Sequence, residues 1–516
     1  MGALLPKYKK AIIDDVISSI STNTAYYYGF ASNPVSLTGG VPNVTVDNYS
    51  SIFTNDWQML FGKKLSSSDI MHVIKNNPWV SGSVYDMYDN TDPNLYNKNY
   101  YVIAPPSIVG SPRNVYICLD NNNGAPSTSI PDIVQQTSFQ KSDGYIWRYV
   151  ATISDQIYKK FSTVSYAPVY ANNILVSGAA LYSGVDVVVI ANSGSDYRTY
   201  ANGIIQSNPT PNVIQIESTN LPISNFFVNC GIYIYTTGYS TADLKTVTQY
   251  NVNTSGNWIH LDSNANTNNI IPGVTQYILS PRVVFDTDGI TQPKAYSTIN
   301  ATTNSISSIV ITDTGTNISR ANVSILPGLY GSGANLYAIA PPPGGYGSDP
   351  VSQLNVQGFG VSFSFANNEN NTIPTEIHYN KIGLLKNPYK ANTSGGKSVS
   401  LWTNTSFNQV LVANIYPSVT YNVGDTVVGN TSGAKGTVAF SNSTLVYLTG
   451  DKYFANGEYI KSTIGTTTQI TINTSAGTYG NVNIYAKDIE PIYVQNLDDV
   501  QRSNSQTETY KLVIQI

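Results

Sequence analysis

From Tyr100 onward the chain is written in short runs of aromatic and β-branched residues, each cut off by Gly, Asn, Asp or Pro. "YYVIAPP", "NVYICLDNNNG" and "GYIWRYVATI" are examples. Runs this short, bounded by turn residues, suit strands on half-buried pleated surfaces rather than helices. The pattern predicts a mainly β fold of α+β type, built from sandwich-like or barrel-like domains with a helical N-terminal part. Charge is scarce, at 11% of residues against about 25% in ordinary globular proteins. Asn, Ser, Thr and Gln carry the polarity. A hydrophobic content of 41% still provides enough apolar surface to drive ordering. Tyrosine outnumbers phenylalanine 39 to 14, which suits layers that bury a ring and keep its hydroxyl hydrogen-bonded.

The helical signal lies in the first fifth of the chain. Ile13, Val16, Ile17 and Ile20 recur at helical spacing after Pro6, a good first-turn residue. Tyr49, Ile52, Phe53, Leu60 and Phe61 predict a second helix ended by Gly62. "SSSDIMHVIKNNP" predicts a third, short helix, with Ser66 and Asp69 as a capping box and Pro78 as the stop. "AYYYGFA" between the first two reads as a strand.

Two internal repeats appear. "VVVIANSGSDYRTYANGII" from Val187 aligns with "SSIVITDTGTNISRANVSI" from Ser307, and each reads as strand, small-residue turn and second strand. "VGDTVVGNTSGAKGTVAF" from Val423 aligns with "NGEYIKSTIGTTTQITI" from Asn456, a spacing of 33 residues. The second pair predicts a small barrel or sandwich of hairpins. "PPPGGYGSDP" from Pro341 reads as a loop or module boundary.

Chemistry-bearing patterns are few. His72, His260 and His378 lie in separate regions without metal-ligand spacing, and Cys118 and Cys230 are expected to be free thiols. Asp14–Asp15 and Asp498–Asp499 are poor catalytic pairs, because neighbours along an element point apart. The net charge of −4 comes without a basic stripe, so no nucleic-acid partner is expected. No apolar run approaches bilayer length, so no membrane insertion is expected either. The N-terminus lacks a secretory pattern, and the chain is expected to fold in a cytoplasm. The expectation is a non-enzyme that needs no metal or cofactor. Exposed Trp and Tyr beside Asn and Gln suit sugars, and Trp258 and Trp402 are the candidate glycan or interface aromatics.

The stretch "SDGYIWRYVATI" from Ser142 holds the densest motif. Asp143–Gly144 predicts a tight turn into a strand. Alternation then puts Tyr145, Trp147 and Tyr149 on one face, with Ile146, Arg148 and Val150 on the other. Three aromatics on one face predict a thick buried layer or a subunit contact. Arg148 calls for a carboxylate or carbonyl partner. Together with "NVYICLDNNNGAPS", the stretch resembles the central signature of the baseplate wedge proteins (gene product eight) of T-even-type contractile-tailed bacteriophages. Cys118, Leu119, Asp120, Asp143, Gly144, Tyr145, Trp147 and Tyr149 match that signature. Ser142 stands for a glycine, and Arg148 for an acid. "YYYGFASNPVSL" from Tyr26 resembles the family's first strand. "YNKIGLLKNPYK", with Asn387 and Pro388, resembles a late strand. "SQTETYKLVIQI", with Gln506, Thr507 and Glu508, resembles the closing one. "YVQNLDDVQR" keeps only Asn496 of an expected Asn-Arg pair.

The resemblance implies a wedge-protein core in residues 1–172, 375–392 and 482–516, with both termini in one domain. Inserted β-modules fill 173–350, a connecting strand region 351–374, and an inserted small barrel or sandwich 393–481. It implies a structural subunit of the virion's tail baseplate, a homodimer that joins other wedge proteins and takes part in the rearrangement that triggers sheath contraction. The competing reading is a tail-associated adhesin binding host-surface glycans through its β-modules. Aromatics exposed on the inserted modules would favour the adhesin, and aromatics buried at subunit contacts the scaffold.

Overall fold

In the computed structural model, the described residues are 5–37, 39–41, 58–171, 184–197, 201–217, 224, 227–235, 243–265, 270–300, 302–326, 331–367, 369, 372–392, 396–473, 482–489 and 491–516. The N-terminal helix Pro6–Ser21 starts on its proline and buries Pro6, Ile13 and Ile20. Its Asp14 meets His72 of the strand Ile70–Lys75 at 2.9 Å. A second helix, Asp155–Phe161, and a single turn, Pro350–Gln353, are short; strands dominate the rest, and two sets of six close into barrels.

Two of the three expected helices are corrected. Met59–Lys64 is a strand, and Tyr49, Ile52 and Phe53 lie outside the described residues. This strand sits between Tyr27–Ser32 and Ser406–Asn408. Met59, Leu60 and Phe61 are all buried. A strand covered on both faces shows a continuous apolar run with no period of two, which is easily mistaken for a helical stripe. The second misreading is "SSSDIMHVIKNNP". Ser66 N–H does donate to the Asp69 carboxylate at 2.9 Å, but the turn Ser67–Asp69 leads straight into the strand Ile70–Lys75. The cap was legible; the element behind it is decided by pairing with Gly358–Ala366.

The chain divides into two units. One comprises residues 1–74, 157–168 and 356–516, and the other 75–156 and 169–355. The segment 1–172 therefore contributes to both, and the two termini share the first.

In the first unit a five-stranded sheet runs Ser406–Asn408, Met59–Lys64, Tyr27–Ser32, His378–Lys386, Pro491–Gln501. A four-stranded sheet runs Thr507–Gln515, Gly358–Ala366, Ile70–Lys75, Tyr166–Val169. Aromatic rings join the two. Phe61 meets Phe365 edge-on at 4.9 Å, and Tyr379 and Tyr510 share a hydrogen bond. The Phe363 ring lies where a Cβ on Gly29 would fall, at 2.6 Å, so any larger residue at this strand position would have to push the ring aside. The same unit carries a barrel in the order Val410–Tyr416, Leu445–Thr449, Lys435–Ser441, Thr426–Gly429, Tyr459–Ser462, Thr467–Ile472.

The second unit holds the other barrel, from Asn202–Thr210 to Gln276–Pro281. It also holds three two-stranded sheets and the four-stranded sheet Tyr101–Ile103, Arg113–Asp120, Ile146–Ile153, Phe139–Gln140.

Both sequence repeats have a structural counterpart. Gly424 N–H donates to Val438 C=O at 2.8 Å, and Gly457 N–H to Ile470 C=O at 2.9 Å. Asp425 accepts from Asn422 N–H, and Glu458 from Ala455 N–H, each three residues back. Two copies of one hairpin thus lie side by side in a single barrel. In the other pair, one residue out of step with the sequence alignment, Asn192 accepts from Gly194 N–H as Asp313 accepts from Gly315 N–H, and Tyr197 and Ile318, each three residues past the glycine, are buried. Their strands choose different partners. Val188–Ser195 pairs with Ser332–Ala338, and Ser305–Asp313 with Lys294–Asn300.

Candidate functional site

The motif strand is entered through a closed turn. Lys141 N–H donates to Tyr145 C=O at 2.9 Å, and Gly144 N–H to Lys141 C=O at 3.0 Å. Asp143 organises the surrounding loop. Its carboxylate accepts from Thr128 N–H and Ser129 N–H at 2.8 Å each, from the Ser127 hydroxyl at 3.0 Å and from Tyr145 N–H at 3.2 Å. Burial alone would raise this carboxyl. The donors of Ser129, Thr128, Ser127 and Tyr145 outweigh it and hold Asp143 below its ordinary range.

Gly144 has φ +86°, and a Cβ there would lie 2.7 Å from Asn122 Cγ. Gly144→Ala is expected to lose about 1–3 kcal/mol through left-handed strain and displacement of Asn122. Chemical unfolding of both proteins checks it, and an unchanged midpoint would show that the turn relaxes freely.

Beyond the turn the predicted alternation is present. Tyr145, Trp147 and Tyr149 join Tyr85, Val102, Tyr116, Cys118 and Phe139 in one buried cluster. Tyr145 stacks on Trp147 with centroids 5.4 Å apart, and Tyr85 meets Trp147 edge-on. The aromatic layer is covered by the chain itself. Cys118 lies within it as a free thiol pushed well up by burial; Cys230, also free, is raised to about 12 for the same reason.

Arg148 occupies the opposite face and is 3% exposed. Its carboxylate partner is Asp186 at 3.4 Å, and the guanidinium lies over the Tyr346 ring at 5.4 Å. Asp186 also accepts from the Ser138 hydroxyl at 2.8 Å. Burial nevertheless keeps its carboxyl above the ordinary range.

The remaining motif residues lie in the first unit. Asn387 Oδ1 accepts from Tyr26 N–H at 2.8 Å, and Pro388 C=O accepts from Trp402 N–H at 2.7 Å. Gln506 C=O accepts from Asn367 N–H at 2.9 Å. Thr507 is exposed and pairs with Ala366. Glu508 is buried against Arg502, whose Nε donates to it at 3.1 Å. Arg502 also donates to the carbonyls of Pro374 and Asn367, and stacks on Phe61.

Asp186 and Arg502 were not among the sequence candidates. Arg148 signalled that a carboxylate was needed but not which one. Nothing near Arg502 announces its burial.

Of the two tryptophans, Trp402 packs on the core around Tyr28 and Phe407, with Nε1–H donating to Ser406 C=O. Trp258 is half-buried on its barrel, opposite Gln215 on one neighbouring strand and Asn251 on the other. Among the described residues no group of three His, Cys, Asp or Glu side chains is arranged to hold a metal ion. No described helix is long and apolar enough to cross a membrane. No protein-family model matches the chain, and no curated protein matches it.

Proposed function

We propose that the chain is a structural subunit of a contractile-tail baseplate wedge. Its work is to hold large subunit interfaces that stay stable yet rearrange when the sheath is triggered. One observation carries the reading. The first and late family-like stretches, some 350 positions apart, pair strand to strand from Tyr27↔Lys386 to Ser32↔Lys381, and Asn387 closes the ladder on Tyr26. The closing stretch lies in the same unit, its Tyr510 bonded to Tyr379 of the late strand. Three of the four stretches that carry the resemblance therefore lie together in the first unit, as parts of one inherited core should, while the central signature from Cys118 to Tyr149 lies in the second. In this reading the subunit is a homodimer, contacts other wedge proteins and performs no catalytic step.

Light scattering on the purified chain across a concentration series tests the reading. A dimer of about 112 kDa, twice 55.9 kDa, is expected. A stable trimer would overturn it. Antibody labelling of virions is expected to decorate the plate at the tail end, and labelling confined to fibres or capsid would overturn it equally.

A further inference from the structure

The barrel of the first unit has an outer row that its own stability does not explain. Ile415, Ile460 and Ile470 point inward and are buried, so their neighbours Tyr416, Tyr459 and Gln469 point outward. These three lie directly opposite one another on adjacent strands. Gln469 is paired with Tyr416 on one side and Tyr459 on the other. Tyr416 is 79% exposed and Tyr459 47%. Rings so exposed recover little of the free energy of burial, about 25 cal/mol per Å². The Gln469 amide is anchored between them by donating to Gly457 C=O at 2.8 Å. One step along, Asn414 and Thr471 face each other and are both exposed.

We propose that the row Tyr416–Gln469–Tyr459 binds a linear oligosaccharide. Tyr416 and Tyr459 lie on strands two spacings apart, ~9.6 Å between backbones. The repeat of an extended pyranose chain is close to one strand spacing, so a chain crossing the strands can lay alternate sugars on the two rings. An aromatic face attracts the C–H-rich face of a pyranose through its quadrupole and through displacement of water. Gln469, Asn414 and Thr471 supply amide and hydroxyl groups to exchange hydrogen bonds with sugar hydroxyls. A nucleic-acid strand also stacks on aromatics but demands a cationic groove. This chain carries net charge −4, and Lys461 is the one cation on the four strand residues Tyr459–Ser462. The site goes beyond the wedge reading and does not depend on it, because a scaffold subunit can carry a sugar-binding module.

The test uses the intact chain and an array of defined linear oligosaccharides, including hexamers of β1,4-linked glucose and β1,4-linked N-acetylglucosamine. Hits are titrated by saturation-transfer NMR. At least one oligosaccharide is expected to bind. Tyr416→Ala and Tyr459→Ala are each expected to weaken it about tenfold or more, and Tyr416→Phe to retain it. Both side chains face outward, so melting temperatures should stay unchanged and certify the fold. No binding on the array would overturn the proposal. So would binding that survives both alanine variants, or that is lost only in Trp258→Ala, which would move sugar recognition to the other barrel.

Discussion

Arg148→Met is expected to lower the unfolding free energy of its unit by about 3–5 kcal/mol near neutral pH, because it strands a buried carboxylate. Arg148 and Asp186 side chains are each 3% exposed, and the pair sits at 3.4 Å. The loss should depend on pH in a definite direction. Asp186 already titrates above its ordinary range, since burial outweighs the attraction of Arg148 and the hydrogen bond from Ser138. An acid raised in the folded state contributes stability that is fully present below its unfolded value. That contribution is lost as pH climbs through the folded one. Removing Arg148 deletes the attraction and raises Asp186 further. The variant should therefore approach wild type near pH 4, close to the unfolded value of an aspartate, and fall away from it as pH rises toward 8. Urea unfolding at three pH values measures this. A deficit that is constant across the range would mean that lost packing, not the stranded charge, sets the effect. Arg148→Met combined with Asp186→Leu should recover much of the loss at pH 8.

The second large effect is expected at the C-terminal motif. Arg502 has a side-chain exposure of 0%, and Glu508 of 6%. Nε donates to both carboxylate oxygens, at 3.1 and 3.3 Å, and Nη1 donates to Pro374 C=O at 2.8 Å. Arg502→Leu strands the acid, and Glu508→Leu strands the base. Each should lose about 3–5 kcal/mol. The double variant should lose clearly less than the sum, because no charge is left unpaired, although the carbonyls of Pro374 and Asn367 still lose their donor. A four-member unfolding cycle reads the coupling. Strict additivity would show that the two residues act through separate contacts.

What the sequence determined by itself is local. Short β-branched and aromatic runs between turn residues specify strands, because period-two packing and turn conformations are properties of neighbouring residues. Asp143–Gly144 specifies its turn, and alternation assigns Tyr145, Trp147 and Tyr149 to one face, as the buried cluster shows. Pro6 and the Ile13–Ile20 spacing specify the first helix. The repeat from Val423 and Asn456 specifies matching turns down to the acid that caps each one.

Tertiary structure decided everything that depends on a partner. Met59–Phe61 became a strand by pairing with Tyr27–Ser32 and Ser406–Asn408, and burial of both its faces erases the periodicity that identifies strands. Ile70–Lys75 became one because Gly358–Ala366 was there to pair with it. Duplicated strands from Val188 and Ser305 found different neighbours. Asp186 was chosen for Arg148 from 38 positions away, and Tyr27 met Lys386 from across most of the chain. The row Tyr416–Gln469–Tyr459 exists only because barrel closure sets three strands in one register. A residue's type and its neighbours dictate which way it faces. What it faces is settled by chain closure over long separations, where burial and hydrogen-bond satisfaction select among many locally equivalent strands.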